Sequence, residues 1–338
     1  MSISRRLLGT LSLAAALVGA QLPMQAMAQQ RVTLTLNWTP YGLHMGPVVA
    51  RERGLYKAAG LDVEILRGYG SGESLKRSAM GTTTFALADA ASVALGRDKG
   101  LAVRQLATIM DRSSDAMYFR KGAGIKTPKD LEGRTIGIAA GESHLALFPA
   151  FAKSANIDVS KIKWVTFNPP AKLPSLMGGS VDAVMTFATE EPTLDAAAEK
   201  AKNGWDKFAF SDYGIDNYSI GIIASDELIK KDPELVRKFV SATMAGYALA
   251  VDDPSAAAND FVKSFPQTWR VLVLAQWRIV AKHLLTDTAK EKGYGYIRED
   301  RMAATLEYVR NFSKLENPIK GTDLFSMDYL TPTLPSKK

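Results

Sequence analysis

Hydrophobic and polar positions along this chain alternate between two periods. From Arg31 to Asn37, Val32, Leu34 and Leu36 interleave with Thr33 and Thr35, the period of two that marks a strand. Met45 to Ala59 then takes helical spacing through Val48, Val49, Leu55 and Tyr56, and Gly60 stops it. Strand Asp62–Leu66, helix Ser74–Met80, strand Thr84–Ala88, helix Ala90–Asp98 and strand Ala102–Met110 follow. The alternation predicts a mostly parallel sheet with helices on both faces. It restarts after Thr127-Pro128, an N-cap followed by a first-turn proline. There, strands Thr135–Ala139, Lys163–Phe167 and Asp182–Phe187 alternate with helices His144–Ala155, Lys172–Met177 and Glu191–Ala201, a second α/β unit without an exact internal repeat.

The remainder reads as helical. Asp232-Pro233 opens a helix with Leu235, Val236, Phe239, Val240, Met244, Tyr247 and Val251 on one face. Asp253-Pro254 opens another, and Gln276–Leu285 and Asp300–Phe312 complete the set. Two extended apolar pieces, Ala116–Arg120 and Tyr218–Ala224, lie between the units. Two crossovers between two lobes predict a hinge around a cleft, with one lobe from 29–117 and 225–338 and the other from 118–224.

Composition changes the picture at the N-terminus. Of 338 residues, the first 28 carry Arg5 and Arg6, an uncharged apolar stretch from Leu7 to Ala20, and the small-x-small site Ala26-Met27-Ala28. This is the tripartite pattern of a secretory signal, cleaved after Ala28, and its paired arginines leave the Sec and Tat routes both open. Removal leaves 310 residues and lowers the formal charge from +7 to +5. The predicted location is therefore an exported compartment. The chain has no cysteine, which excludes disulfides, thiolate metal sites, a cysteine nucleophile and a lipid anchor on cysteine. Lysines and arginines are dispersed, so no basic stripe predicts nucleic-acid binding.

No catalytic or metal motif is present around His44, His144 or His283, and no cofactor is expected. The candidate chemistry sits at strand ends. Gly68-Tyr69-Gly70-Ser71-Gly72 and Gly141-Glu142-Ser143 are strand-to-helix turns whose N–H groups can hold a ligand, or can serve as turns alone. Asn37-Trp38-Thr39-Pro40-Tyr41, with His44 beyond, places stacking faces and hydrogen-bonding groups on one loop. The bland alternative has Trp38 plugging the core and His44 capping a helix. Asp89, Glu190 and Glu191 are acids after strands, able to accept from ring amino groups or to cap helices. Phe187, closing one strand, and Tyr218, opening the second extended piece, complete the set.

With these residues in hand, the chain resembles the periplasmic solute-binding proteins of ABC importers. It is most similar to the branch of nitrate, sulfonate and thiamine-pyrimidine binders that also includes the fungal thiamine-pyrimidine synthase. The stretches LNWTPYGLHMGPVVARERGLYKAAGLDVEI, TFALADAASVALGRDKG, IKTPKDLEGRTIGI and GGSVDAVMTFATEEPTL carry the resemblance, in order, over nearly all of the mature chain. Asn37, Trp38, Pro40 and His44 match the pyrimidine branch's opening motif, whereas the synthase's cysteine-rich motif has no counterpart. The resemblance implies a two-lobed, type II periplasmic-binding-protein fold, a ligand between the lobes, a membrane permease as partner, and a monomer. It points to binding of an aminopyrimidine or similar heterocycle without catalysis. The alternatives are a pyrimidine-modifying enzyme using His44, or a binder of a sulfonate- or nitrate-type anion.

Overall fold

The alternating segments build two five-stranded sheets. A computed structural model describes residues 29–313 and 315–336, so the leader read at 1–28 lies outside the described residues. The first sheet contains β1 (Gln30–Thr35), β2 (Leu61–Leu66), β3 (Phe85–Asp89), β4 (Val103–Thr108) and β10 (Ile220–Ser225), in the order β2-β1-β3-β10-β4. The second contains β5 (Asp115–Arg120), β6 (Thr135–Ala139), β7 (Lys163–Phe167), β8 (Ala183–Phe187) and β9 (Trp205–Ala209), in the order β7-β6-β8-β5-β9. β1 runs parallel to β2 and β3, as β6 does to β7 and β8. The central strands β3 and β8 are buried along their whole length, as a sheet covered by helices on both faces requires.

One strand in each sheet runs against the rest, and it is the strand that follows a crossing. β10 lies antiparallel between β3 and β4, and β5 lies antiparallel between β8 and β9. β5 pairs wholly within the second sheet and β10 wholly within the first. This differs from the sequence reading, which divided the lobes at 117/118 and 224/225; the hand-over falls instead in the connections ahead of these strands. Those connections are joined side by side: Ser113 N–H donates to the Asn217 carbonyl (2.8 Å) and Ser219 N–H to that of Met110 (3.1 Å). Helix Glu299–Phe312 packs against helix Ala90–Asp98 of one lobe and helix His144–Ser154 of the other. Its Arg301 reaches the Asp111 carbonyl at 2.9 Å and Asp216 at 3.1 Å, so both connections are held at the back of the molecule.

Other departures have local causes. The helix expected over 45–59 breaks at Gly54, whose φ of 72° lies in the left-handed region, giving helices Met45–Glu52 and Leu55–Ala58. β9 was not foreseen, because Asp206 and Lys207 interrupt its apolar pattern at a sheet edge. Helix Met45–Glu52 packs closely on helix Pro233–Asp252. A Cβ on Gly246 would stand 2.2 Å from the Gly46 carbonyl oxygen, and the Tyr247 ring covers Gly46. The Tyr247 hydroxyl donates to the Leu43 carbonyl at 2.9 Å. This contact anchors the loop that follows β1, one wall of the cleft.

Candidate functional site

The loop after β1 is shaped by His44. Its Nδ1 accepts from the Tyr41 N–H (3.2 Å), so Nε2 carries the hydrogen and donates to Asn37 Oδ1 (2.9 Å). Burial pulls the imidazole down to about 3, and the ring is neutral at physiological pH. His44 is therefore a clamp inside the first lobe. The Tyr41 ring meets it edge-on at 4.7 Å, while the Tyr41 hydroxyl is buried without a hydrogen bond of normal geometry. The Gly42 N–H donates to Gln276 Oε1 (2.9 Å), and the other end of that amide reaches across to Thr193 Oγ1 of the second lobe (2.8 Å).

The facing wall is built around Lys172, which is 1% exposed. Its Nζ donates to Glu142 Oε2 (2.6 Å) and to the Met185 carbonyl (2.7 Å), and stands 5.0 Å over the Trp38 ring of the opposite lobe. Glu142 Oε2 also accepts from the Ala139 N–H (2.9 Å), leaving Oε1 buried without a hydrogen bond. His144 lies 4.4 Å from the Phe187 ring, and neither of its nitrogens has a hydrogen bond. Nε2 is 3.4 Å from Asp115 Oδ1, and Nδ1 is 3.9 Å from Glu142 Oε1.

Between the walls lies a narrow pocket, closed down to about 10 Å³, the room of a single water as the lobes stand, and bounded by Asn37, Trp38, Tyr41, Ser71, Glu142, Ser143, His144, Lys172, Phe187 and Glu190. Both lobes contribute, so one ligand here touches both. Burial dominates its electrostatics. It lifts Glu190 up to about 7 and Glu142 above the usual carboxylate range, with the Lys172 charge opposing both. It lifts Asp115 well above that range, helped by the charge of Asp89, and pushes His144 well below an ordinary histidine, helped by Lys172. The buried polar atoms of Tyr41, Glu142, His144 and Glu190 that lack hydrogen bonds are expensive unless something polar meets them.

Several residues picked from sequence are not in that lining. His44 is held within its loop. Gly72 and Gly141 meet backbone to backbone beside the pocket, with the Gly72 N–H donating to the Gly141 carbonyl at 3.0 Å. Asp89 caps helix Ala90–Asp98 through the Ser92 N–H (2.9 Å), its Oδ2 buried without a partner. Glu191 accepts from the Tyr118 hydroxyl (2.8 Å) and Lys207 (2.5 Å). Tyr218 faces the hinge: its hydroxyl accepts from the Arg298 N–H (2.9 Å), and the Arg301 guanidinium lies 5.2 Å above its ring. In turn, sequence reasoning missed His144, Lys172 and Thr186, all in the lining with Gly70 of the glycine-rich turn, and Asp115 behind it. Lys172 had a usable signal, since it shares a helix face with Leu173, Leu176 and Met177, where a buried lysine needs a buried partner.

Two mixed sheets joined by paired connections, with a polar pocket between them, make this a two-lobed α/β protein of the periplasmic-binding-protein fold. The periplasmic aliphatic sulphonate binding protein of Escherichia coli shares that fold, with a TM-score of 0.63 over 91% of this chain and 94% of that one at 12% identity. Residues 42–257 match the family model described as NMT1/THI5 like, and the chain belongs to that family. Its relatives include the riboflavin-binding protein RibY of Chloroflexus aurantiacus, 26% identical over 331 residues, covering 94% of this chain and 91% of that protein. The formylaminopyrimidine-binding protein of Halalkalibacterium halodurans is 26% identical over 307 residues, 88% of this chain and 90% of its own. A Saccharomyces cerevisiae protein named 4-amino-5-hydroxymethyl-2-methylpyrimidine phosphate synthase is 24% identical over 260 residues, 71% of this chain and 73% of its own.

Proposed function

We propose that this chain is the extracytoplasmic substrate-binding component of an ABC importer, which closes its lobes on an aminopyrimidine or a similar small heterocycle and delivers it to the membrane permease. The observation that carries this reading is the two-sided pocket, where Trp38 of one lobe and the Glu142, His144 and Glu190 cluster of the other converge. Trp38 offers a flat ring a stacking face, and the carboxyl groups accept from ring amino groups. A ligand held by both lobes binds the closed form better than the open one, which is what drives closure. Relatives named for binding riboflavin and formylaminopyrimidine support a flat nitrogen heterocycle as ligand class. The leader read at 1–28 fits an exported monomer that meets its permease at the membrane surface.

The lining suits an anion poorly. The cation that the pocket offers, Lys172, already holds Glu142, and Glu190 adds a second carboxyl. A sulfonate or nitrate would lose its water among acids. The yeast relative's name raises enzyme chemistry, but both His44 nitrogens are engaged and the chain has no cysteine. Binding alone is the better reading.

Scanning calorimetry with 4-amino-5-hydroxymethyl-2-methylpyrimidine tests it. A millimolar excess over a micromolar site should raise the wild-type melting temperature by several degrees, because ligand at about 1,000 times Kd adds about 4 kcal/mol. Trp38→Ala should abolish that rise and leave the unliganded melting temperature nearly unchanged. An equal rise in the variant removes Trp38 from the site, and a rise with an alkanesulfonate alone overturns the ligand class.

A further inference from the structure

A neutral imidazole carries one hydrogen and presents either nitrogen as the donor, so His144 has two faces to offer a ligand. Both of its nitrogens are buried without a hydrogen bond, and so are the two oxygens beside them. Asp115 Oδ1 lies 3.4 Å from Nε2, and Glu142 Oε1 lies 3.9 Å from Nδ1. Which nitrogen carries the hydrogen depends on the state of these two acids.

The acids differ. Lys172 Nζ holds Glu142 Oε2 at 2.6 Å, so Glu142 remains a carboxylate and its free Oε1 accepts. Asp115 Oδ2 accepts from the Ser113 hydroxyl, whose oxygen in turn takes the Asp115 N–H at 3.1 Å, so that side of the carboxyl is filled. The acid that acts on Asp115 from the other lobe is Asp89, and it keeps its charge by capping a helix through the Ser92 N–H (2.9 Å). Of two buried acids that face each other, the one without a cap takes the proton. Burial and the charges of Asp89 and Glu142 all lift Asp115 well above the ordinary carboxyl range, and Lys172 opposes them. Tyr41 and Tyr308 also face Asp115, and neither hydroxyl has a hydrogen bond. The oxygen left for the proton is Oδ1, the one beside His144.

We propose that Asp115 is a positioning residue: as a neutral acid it donates from Oδ1 to His144 Nε2, which puts the ring hydrogen on Nδ1 and makes His144 a donor to the ligand. Nδ1 and Glu142 Oε1 then stand side by side on the lining as a donor and an acceptor. That pair matches a ring nitrogen next to an exocyclic amino group, the edge that an aminopyrimidine presents. With Asp115 ionised, Nε2 would hold the hydrogen instead, and the ligand's ring nitrogen would face a lone pair. The inference rests on the reading of the pocket as a heterocycle site and adds the group that reads the ring nitrogen.

Nitrogen NMR of the isotope-labelled secreted chain at pH 7 reads the tautomer. The chain has three histidines, His144→Phe assigns the signal, and His44 supplies an internal reference with its hydrogen on Nε2. Asp115 and His144 belong to the same lobe, so their pairing is present with and without ligand. The expected form of His144 is neutral with its hydrogen on Nδ1. In titration calorimetry with 4-amino-5-hydroxymethyl-2-methylpyrimidine, His144→Phe and Asp115→Ala should each bind about ten-fold more weakly, the worth of one hydrogen bond. Asp115→Asn, whose amide nitrogen donates in the same place, should keep both the tautomer and the wild-type affinity. A hydrogen on Nε2 or a charged ring in wild type overturns the inference, as does an Asp115→Asn variant that loses the Nδ1 form. These two spectra decide it even where Asp115→Ala fails to fold. Absence of binding by wild type overturns the heterocycle reading, and the tautomer still decides the role of Asp115.

Discussion

Gly70→Ala should weaken ligand binding about a hundred-fold while each lobe keeps its fold. The added Cβ would lie 2.5 Å from the Gly141 carbonyl oxygen and 2.9 Å from the Glu142 nitrogen, distances that real Cβ atoms do not reach against backbone. The clash exists only when the lobes are together, so it penalises the closed form. Gly70 also has φ 148° and ψ 151°, a region that essentially only glycine occupies, at a cost of about 1–3 kcal/mol for another residue. A penalty of about 3 kcal/mol on the binding-competent state appears in Kd as roughly two orders of magnitude. Gly72→Ala is the milder comparison, with its Cβ 3.3 Å from the same oxygen and an ordinary backbone. Calorimetry gives the affinities, and small-angle scattering gives the ligand-induced compaction. Wild-type affinity and compaction in Gly70→Ala would contradict the backbone latch.

Lys172→Met should cost about 3–5 kcal/mol of folding stability near pH 7, the range for breaking a buried ion pair from one side. The substitution removes both hydrogen bonds of Nζ and the charge above Trp38, and leaves Glu142 buried with only the Ala139 N–H. The loss should depend on pH in a definite direction. Glu142 already titrates above the usual carboxylate range because of burial, and loss of Lys172 raises it further. A carboxyl whose folded pKa exceeds its unfolded value contributes stability fully below the unfolded pKa, and that contribution disappears as pH rises through the folded one. The gap between wild type and variant should therefore be largest at pH 8 and narrow toward pH 5. The double variant Lys172→Met/Glu142→Gln should recover part of the loss. Urea unfolding at the two pH values measures this, and a gap that is small or equal at both would show that Lys172 is not structural.

Strand and helix periods, cap residues and strand-end positions were legible in the chain, and they carried the two α/β units and much of the pocket. Trp38, Tyr41, Glu142 and Glu190 follow strand ends, where parallel sheets gather ligands, and the structure brings them together. What sequence could not show was which polar groups neutralise one another. His44 sits in the most distinctive loop, yet its two nitrogens close that loop. His144 opens a helix without any motif, yet it stands bare between Asp115 and Glu142. Lys172 and Glu142 are 30 positions apart and meet only because β6 and β8 are neighbours. Strand order also escaped the sequence. The insertion of β5 and β10 into the opposite lobes' sheets comes from hydrogen-bond pairing, which periodicity does not encode, and it moved both crossings ahead of the expected strands.

Titration of the secreted wild-type chain with 4-amino-5-hydroxymethyl-2-methylpyrimidine, followed by chromatographic recovery of the probe, tests the binding function most directly. One-to-one binding at about 1 μM or tighter, with the probe recovered unchanged, is the predicted result. Absence of heat at millimolar probe, or conversion of the probe to another compound, would contradict it.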